Sequence, residues 1–546
     1  MRKDDQFRIL TEVESRVADR KTVPDDVSGT HIREALEDSL YHERRRIRGE
    51  PLGKRRMEDA AFWANIERQL RGSPDKTQKN LLRAVIRRYG QEIAGNFDER
   101  VYNLATRAIP PALGLLLNAV SPRRLVERFP HFPKIDDAVI IQGETEHLHR
   151  LHDVGTVILT PTHVSNLDSI VIGYSLFRLG LPPFVYGAGL NLFSNPLIGF
   201  FMHNLGAYTV DRRKNDALYK EVLKEYATLT LEHGYDNLFF PGGTRSRSGA
   251  IERRLKLGLL GTGLAAYINN RARGALRDRV FIVPATLSCQ LALEAETLID
   301  DFLKEVGKSR YIIDDDEFAM PKRIFDFFVQ LMNLDSKIHV TISRGLDPFG
   351  NPVDDEGQSM DPCGRTIDIT RYITKDGVPT AVEDRDAEYT KELGLRIGDA
   401  FLRDNVLQST HITARAIFGL MRRQNRDHTI LRLIRTGGMY DDFEMGAVYR
   451  EADRVLSALH KLEGRGGVRL GPSLRQPTED VINDGLAHFA IYHTRPAAFR
   501  RGNRLVPKDR NLLFYYQNRI EGLGIEADLE LPPALSPDHR GLANAA

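Results

Sequence analysis

The chain has 546 residues, 41% of them hydrophobic and 28% charged, enough for more than one domain with a sizeable core. Its 77 Lys and Arg against 75 Asp and Glu leave a formal net charge of +2, which gives no support to bulk nucleic-acid binding, so any basic function has to be local. The two cysteines, Cys289 and Cys363, exclude a disulfide framework and point to a reducing compartment, and no apolar run reaches the roughly 18 residues that a spanning helix requires.

The first residues, Met-Arg-Lys-Asp-Asp-Gln, carry both signs of charge and lack the apolar core of an export signal. Ile32, Leu36 and Leu40 mark a helix, and the cluster Glu43 to Arg48 behind them reads as a solvated face. From Met57 to Ile93, Leu82, Val85, Ile86 and Tyr89 recur at helical spacing, with one break at Gly72-Ser73-Pro74. The pattern predicts a helical N-terminal region over 1–118, followed by a passage marked by Ser121-Pro122, Pro130 and Pro133. Two broken apolar stretches, Ile109–Val120 and Leu181–Phe201, are read as core or as segments lying on a membrane surface.

From about residue 135 short apolar runs alternate with amphipathic segments, the habit of an α/β domain, predicted here over 119–350. The expected strands are Ala138–Ile141, Thr156–Pro161, Ala207–Val210, Asn237–Phe240, Val280–Val283 and Ile338–Ile342, with a helix over Leu218–His233. Asp347-Pro-Phe-Gly-Asn-Pro352 reads as the closing turn. Residues 351–530 follow as a mostly helical region, its apolar faces marked by Leu393, Ile397 and Phe401 and by Val448, Ala452, Val455 and Leu459, and 531–546 form a tail. The fold class is α/β, a central mixed sheet flanked by helices, with helical N-terminal and C-terminal regions.

Four polar strand ends carry the chemistry. In Thr162–Ser169, His163 stands five residues before Asp168; Ser165 or Asn166 is expected to cap a helix that starts there, bringing the carboxylate back to the imidazole. A carboxylate that fixes a histidine's tautomer makes it a base for a hydroxyl proton. Gly206–Arg213 delivers Arg212 and Arg213 at the end of a strand, and Phe239–Gly249 runs into a turn where Gly242 and Gly243 let the backbone approach a ligand and Thr244, Arg245 and Arg247 offer donors to an anion. Val283–Ser288 reads as a strand leading into a turn. Ligands bind at such strand ends in open α/β sheets. His147, His149 and His152 are read as a solvent-facing cluster rather than a metal site, because His147 points away from the others on a helix. Nucleoside-triphosphate, serine-elbow and His-Glu-x-x-His motifs do not occur.

In order, these stretches resemble the glycerolipid acyltransferase superfamily, with its H-x4-D, G-x5-R, F-x-E-G-T/G-R-S-R and V-P-x blocks. Within it the resemblance is to the bacterial membrane-associated glycerol-3-phosphate acyltransferases, over roughly residues 135–345. It implies His163 and Asp168 as the catalytic pair. It implies Arg212, Arg213, Gly243, Thr244, Arg245, Ser246 and Arg247 as the phosphate and acceptor site, and Pro284 near the acyl-donor path. The implied activity transfers a fatty acyl group from acyl-CoA or acyl-carrier protein to glycerol 3-phosphate in phospholipid synthesis, with no cofactor, metal or nucleic acid, at the cytoplasmic face of a membrane as a peripheral protein. Basic side chains such as Arg123, Arg124 and Arg128 are expected to help attachment. The alternatives are a lysophosphatidate acyltransferase and a catalytically degenerate membrane-surface binding protein of the same fold. At one place the sequence departs from the family: Gly242 stands where the third block has a glutamate, leaving Asp211 and Glu252 as nearby carboxyls.

Overall fold

The computed structural model describes residues 3–22, 31–51, 53–72, 74–104, 138–190, 199–200, 203–306, 337–437, 442–490, 493–526 and 528–529. The stretch Ile109–Val120, the end of the N-terminal region, Arg123, Arg124, Arg128, most of Asn191–Phe201 and the tail lie outside these residues.

Four helices open the chain: α1 (Lys3–Thr22), α2 (His31–Gly49), α3 (Lys54–Leu70) and α4 (Asp75–Ile93). The helical spacing predicted for α4 is realised, since Leu82, Val85, Ile86 and Tyr89 are all buried. The basic cluster of α2 is solvated at Arg44, Arg45 and Arg48, which are exposed, and differs from expectation at Arg46. Arg46 is buried and its guanidinium binds Glu43, Glu50 and Asp59 at 2.6–2.7 Å, so this part of α2 faces α3 rather than water. A charge run looks solvated in sequence because its partners, here on another helix, are invisible there.

Seven strands form one mixed sheet: β1 (Val139–Gly143), β2 (Thr156–Pro161), β3 (Val185–Gly189), β4 (Ala207–Val210), β5 (Asn237–Leu238), β6 (Val280–Cys289) and β7 (Ile338–Ile342). Their order is β1-β7-β6-β2-β5-β3-β4. Strands β6, β2, β5, β3 and β4 run parallel, while β7 and β1 are parallel to each other and antiparallel to the rest. β2 lies between β5 and β6 and every one of its residues is buried, which is why it reads as a continuous apolar run instead of an alternating one. Fully buried Ile158 in this strand packs so closely that truncation to alanine would cost about 2–5 kcal/mol.

Two expectations change. Val185–Gly189, assigned to a broken apolar stretch, is a strand of the sheet, next to the edge strand β4; its three small residues Gly187, Ala188 and Gly189 weaken the β signal. β6 continues through Pro284 to Cys289 with no turn, since the proline carbonyl still accepts from Ser343 N at 2.9 Å.

Helices α5 (Thr145–Val154), α6 (Asp168–Arg178), α7 (Ala217–Glu232), α8 (Leu257–Ala272) and α9 (Ala295–Val306) cover the sheet. The apolar faces of α1 to α4 share one core with Leu218, Tyr219, Val222 and Tyr226 of α7. After the turn at Asp347, whose carboxylate accepts from Phe349 N and Asn351 N, the C-terminal region supplies α10 (Glu383–Arg403), α11 (Ser409–Gln424), α12 (Ile430–Thr436), α13 (Met445–Gly464), α14 (Thr478–Phe489) and α15 (Arg510–Gln517). Its core is continuous with that of the sheet: Val164, Leu167 and Val283 belong to the same apolar cluster as Ile412, Leu512 and Tyr516. Among the described residues no helix is long and apolar enough to cross a membrane.

Candidate active site

Strands β2, β3, β4 and β5 are parallel and neighbouring, so their C-terminal ends open on one edge of the sheet. There they border a cavity of about 1380 Å³ whose walls include His163, Tyr186, Arg212, Phe240, Gly243, Thr244, Arg245 and Arg247. Three of the four polar stretches thus converge; the fourth does not. Pro284 is buried inside β6, paired with Thr160 of β2, and is not among the cavity's walls.

His163 leaves β2 and is largely enclosed, with 12% of its side-chain surface exposed. Its Nδ1 lies 3.0 Å from Asp168 Oδ2. The same oxygen accepts from Val164 N at 2.6 Å and Ser165 N at 2.8 Å. An ionised carboxylate only accepts, so Nδ1 carries the proton and Nε2 is left with its lone pair. Phe240 stacks on the imidazole at 4.2 Å between centroids and 22° between planes, holding the ring's orientation. The cap differs in detail from expectation: α6 starts at Asp168 after Leu167, and Ser165 Oγ accepts from Leu167 N.

Burial is the main cause of the lowered pKa of His163; the hydrogen bond and charge of Asp168 oppose it, and the guanidinium groups of Arg245 and Arg212 lower it further. The imidazole is therefore neutral at neutral pH, the form a base requires.

The glycine-rich turn is part of the same unit. Ser246 N donates to His163 O at 2.8 Å, and Gly243 takes φ +78°, a conformation that favours glycine. Ser246 does not present its hydroxyl to the cavity; Oγ donates to Ala250 O at 2.7 Å and closes the turn. Arg245 contacts Glu294, a carboxylate with no exposed side-chain surface, at 3.4 Å, and Arg247 pairs with Glu305 at 2.6 Å.

On the β4 side, Arg213 is engaged by Asp211 through its Nε at 3.0 Å and Nη2 at 2.9 Å, so its fork is already occupied. Arg212 has no hydrogen bond or ion pair among the described residues. Desolvation by the cavity walls lowers its pKa, with the charge of Arg245 acting in the same sense. A guanidinium without an ion pair, with the charge of Arg245 beside it, makes an anion-seeking site.

The three histidines of α5 form no metal centre. His147 is buried against Asp355 at 2.7 Å rather than solvent-facing, and His152 binds Asp236 at 2.6 Å. No group of three or more metal-capable side chains occurs among the described residues. Lys256, of the basic-then-glycine segment Lys256–Leu260 that the resemblance also includes, lines the cavity, whereas Tyr186, Lys214 and Lys220, and Glu294 behind Arg245, went unnoticed in the sequence because they flank the motifs or reach the site from other elements; Phe240, inside the third block, was there to be found.

The Acyltransferase family model matches residues 143–288, the stretch from the end of β1 to the end of β6. The glycerol-3-phosphate acyltransferase of Pseudomonas fluorescens (strain Pf0-1) is 28% identical over 279 residues, 50% of this chain and 29% of that protein. That of Pseudomonas aeruginosa (strain LESB58) is 30% identical over 175 residues, 31% of this chain and 20% of that protein. The glycerol-3-phosphate acyltransferase of Pseudoalteromonas translucida (strain TAC 125) is 27% identical over 305 residues, 56% of this chain and 31% of that protein. The similarity thus spans less than a third of each relative's length. Over residues 143–288, therefore, this chain is similar to the acyltransferase family.

Proposed function

We propose that the chain is a glycerol-3-phosphate O-acyltransferase that uses an acyl thioester. The observation carrying this reading is one cavity in which a neutral His163, oriented by Asp168, faces the Arg212 and Arg245 guanidinium groups. The arginines hold the acceptor's phosphate, and this fixes its free hydroxyl beside Nε2. Nε2 takes the hydroxyl proton as the oxygen attacks the thioester carbonyl, and Asp168 stabilises the imidazolium. Collapse of the tetrahedral intermediate breaks the C–S bond, and the imidazolium returns the proton to the leaving thiolate. The products are an ester and a free thiol, and no acyl-enzyme forms.

The donor is acyl-CoA or acyl-carrier protein, and the enzyme needs no further cofactor. Because the product partitions into lipid, the protein works as a peripheral protein at the cytoplasmic face of a membrane. The catalytic unit is assigned to 119–350, between helical regions over 1–118 and 351–530.

Purified protein supplied with labelled acyl-CoA and glycerol 3-phosphate is expected to form lysophosphatidate. His163→Ala should lower the rate by about 10²–10⁴-fold with the fold intact by circular dichroism. Undiminished turnover in that variant would remove the assigned base. Acylation of lysophosphatidate alone would transfer the reading to that acceptor, and liposome binding without any turnover would leave only a binding protein.

A further inference from the structure

The chain turns back on itself after the glycine-rich turn and returns a carboxyl group to it. A Cβ built on Gly242 would lie 1.9 Å from Glu252 Oε2 and 2.3 Å from Oε1. The Glu252 head group thus fills the space that any side chain at position 242 would need. The fold-back is fixed on both sides of Glu252, by Ser246 Oγ on Ala250 O at 2.7 Å and by Lys256 N on Pro241 O at 2.7 Å. Gly242 lies between Pro241 and Gly243, both walls of the cavity, and the Glu252 head group stands against Gly242 just behind that wall.

The surrounding acids are already committed. Asp211 holds the Arg213 side chain and backbone N–H. Asp168 holds His163 and two backbone N–H groups. Glu294 binds Asn166 N and Arg245. Glu252 is different: the residue is half-buried, its Oε2 is enclosed, and among the described residues its carboxyl makes no hydrogen bond or ion pair at all. A polar atom withdrawn from water and left unpaired is costly, and such groups cluster where a ligand completes them.

We propose that Glu252 is the acceptor-binding carboxyl of this site: it hydrogen-bonds the second hydroxyl of a small polyol phosphate, and position 242 is glycine so that this head group fits. The inference rests on the glycerol 3-phosphate reading. Burial, with the negative charge of Asp168 adding to it and Arg519 and Arg212 opposing, pushes the Glu252 pKa up to about 8. At neutral pH the carboxyl is then mostly protonated and can donate to one hydroxyl oxygen while accepting from another group.

The test compares glycerol 3-phosphate with 3-hydroxypropyl phosphate, which keeps the phosphate and the terminal hydroxyl at the same spacing and lacks the second hydroxyl. The wild type should prefer glycerol 3-phosphate in kcat/KM. Glu252→Ala should raise KM for glycerol 3-phosphate about tenfold, the worth of one such hydrogen bond. The loss with 3-hydroxypropyl phosphate, which has no second hydroxyl to lose, should be several-fold smaller than that with glycerol 3-phosphate. Glu252→Gln, which can still donate and accept, should stay within a few-fold of wild type. The double variant Gly242→Glu with Glu252→Ala moves the carboxyl to the other side of the same gap and should recover the preference, whereas Gly242→Glu alone collides with Glu252.

If Glu252→Ala turns over glycerol 3-phosphate with an unchanged KM, Glu252 merely fills space behind the turn and the proposal is overturned. Should Glu252→Ala fail to fold, a folded Glu252→Gln or double variant that no longer distinguishes the two acceptors overturns it. Absence of glycerol 3-phosphate turnover in the wild type would instead overturn the functional reading, and this inference with it.

Discussion

Two arginine turns stand side by side at the cavity, one after β4 and one after β5, and they are built alike but braced from opposite ends of the chain. In the first, Arg212 is left to the cavity while Arg213 is held by Asp211 and, at 3.3 Å, by Glu50. Lys214 goes inward, with 2% of its side chain exposed, to meet Glu43 of α2 at 2.9 Å and Glu92 of α4 at 2.6 Å. In the second, Arg245 faces the cavity and its brace comes from the C-terminal region. Asn518 Nδ2 donates to Ser248 O at 2.9 Å, and a Cβ on Gly249 would lie 2.2 Å from Tyr515 O. In each turn one arginine is presented and its neighbours anchor it. The first anchor is an ionic network buried against α2 and α4, while the second adds neutral, tightly packed contacts from the C-terminal region to the Glu294 and Glu305 ion pairs, so the two should fail differently.

Lys214→Met would test the ionic anchor most severely. Removing one member of this buried ion-pair network leaves Glu43 to Arg46 alone and Glu92 to Arg88 alone, and is expected to cost about 3 kcal/mol in urea denaturation. A loss below 1 kcal/mol would mean that α2 and α4 do not brace this turn.

Next in size is the presented arginine itself. Arg212→Ala should raise KM for glycerol 3-phosphate by roughly 10- to 100-fold, the worth of a charge-assisted hydrogen bond of about 1.5–3 kcal/mol. Arg213→Ala, which removes a fork already filled by Asp211, should change KM far less. Equal effects of the two substitutions would erase the distinction between presented and anchoring arginines.

Asn518→Ala removes one neutral hydrogen bond from the second turn and should lower stability by only about 1 kcal/mol. Its signature is kinetic: KM for glycerol 3-phosphate should rise while the thermal midpoint moves by a few degrees or less, as measured by activity assay and calorimetry. A normal KM would show the C-terminal region to be packed beside the turn without positioning it.

These braces explain which parts of the molecule were legible in its sequence. Strands β2, β4 and β7 came out with their observed ends because each is an uninterrupted β-rich run. β3 was lost because Gly187, Ala188 and Gly189 carry no β signal, although Gly187 and Gly189 border the cavity. His163, Asp168, Arg212 and Arg245 could be found because each follows a strand in a local motif. The partners that set their properties could not, because they lie far along the chain: Glu43 is 171 residues from Lys214, and Asn518 is 270 residues from Ser248. Arg213 and Ser246 looked like ligand groups for the same reason. Spacing places a side chain at a turn, and only packing decides whether it points into the cavity.

The smallest effect expected is one of pH, and it separates the electrostatic reach of the two turns. Burial holds the folded His163 pKa below 6.5; Asp168 raises it, and the nearby guanidinium groups, Arg245 before Arg212, lower it. The acid limb of kcat/KM should therefore lie below pH 6.5, where protonation of Nε2 removes the base. Arg245→Ala deletes one depressing charge, so the limb should move to higher pH, and Arg212→Ala should move it in the same direction by less. Stability carries the same sign. The unfolded chain binds the His163 proton more readily than the folded one, so between the folded pKa and 6.5 stability falls as pH falls, and Arg245→Ala should weaken that dependence. A limb that stays in place in Arg245→Ala, measured at saturating acyl-CoA, would mean that the second turn touches the base only through the Ser246 N–H to His163 O bond and not through its charge.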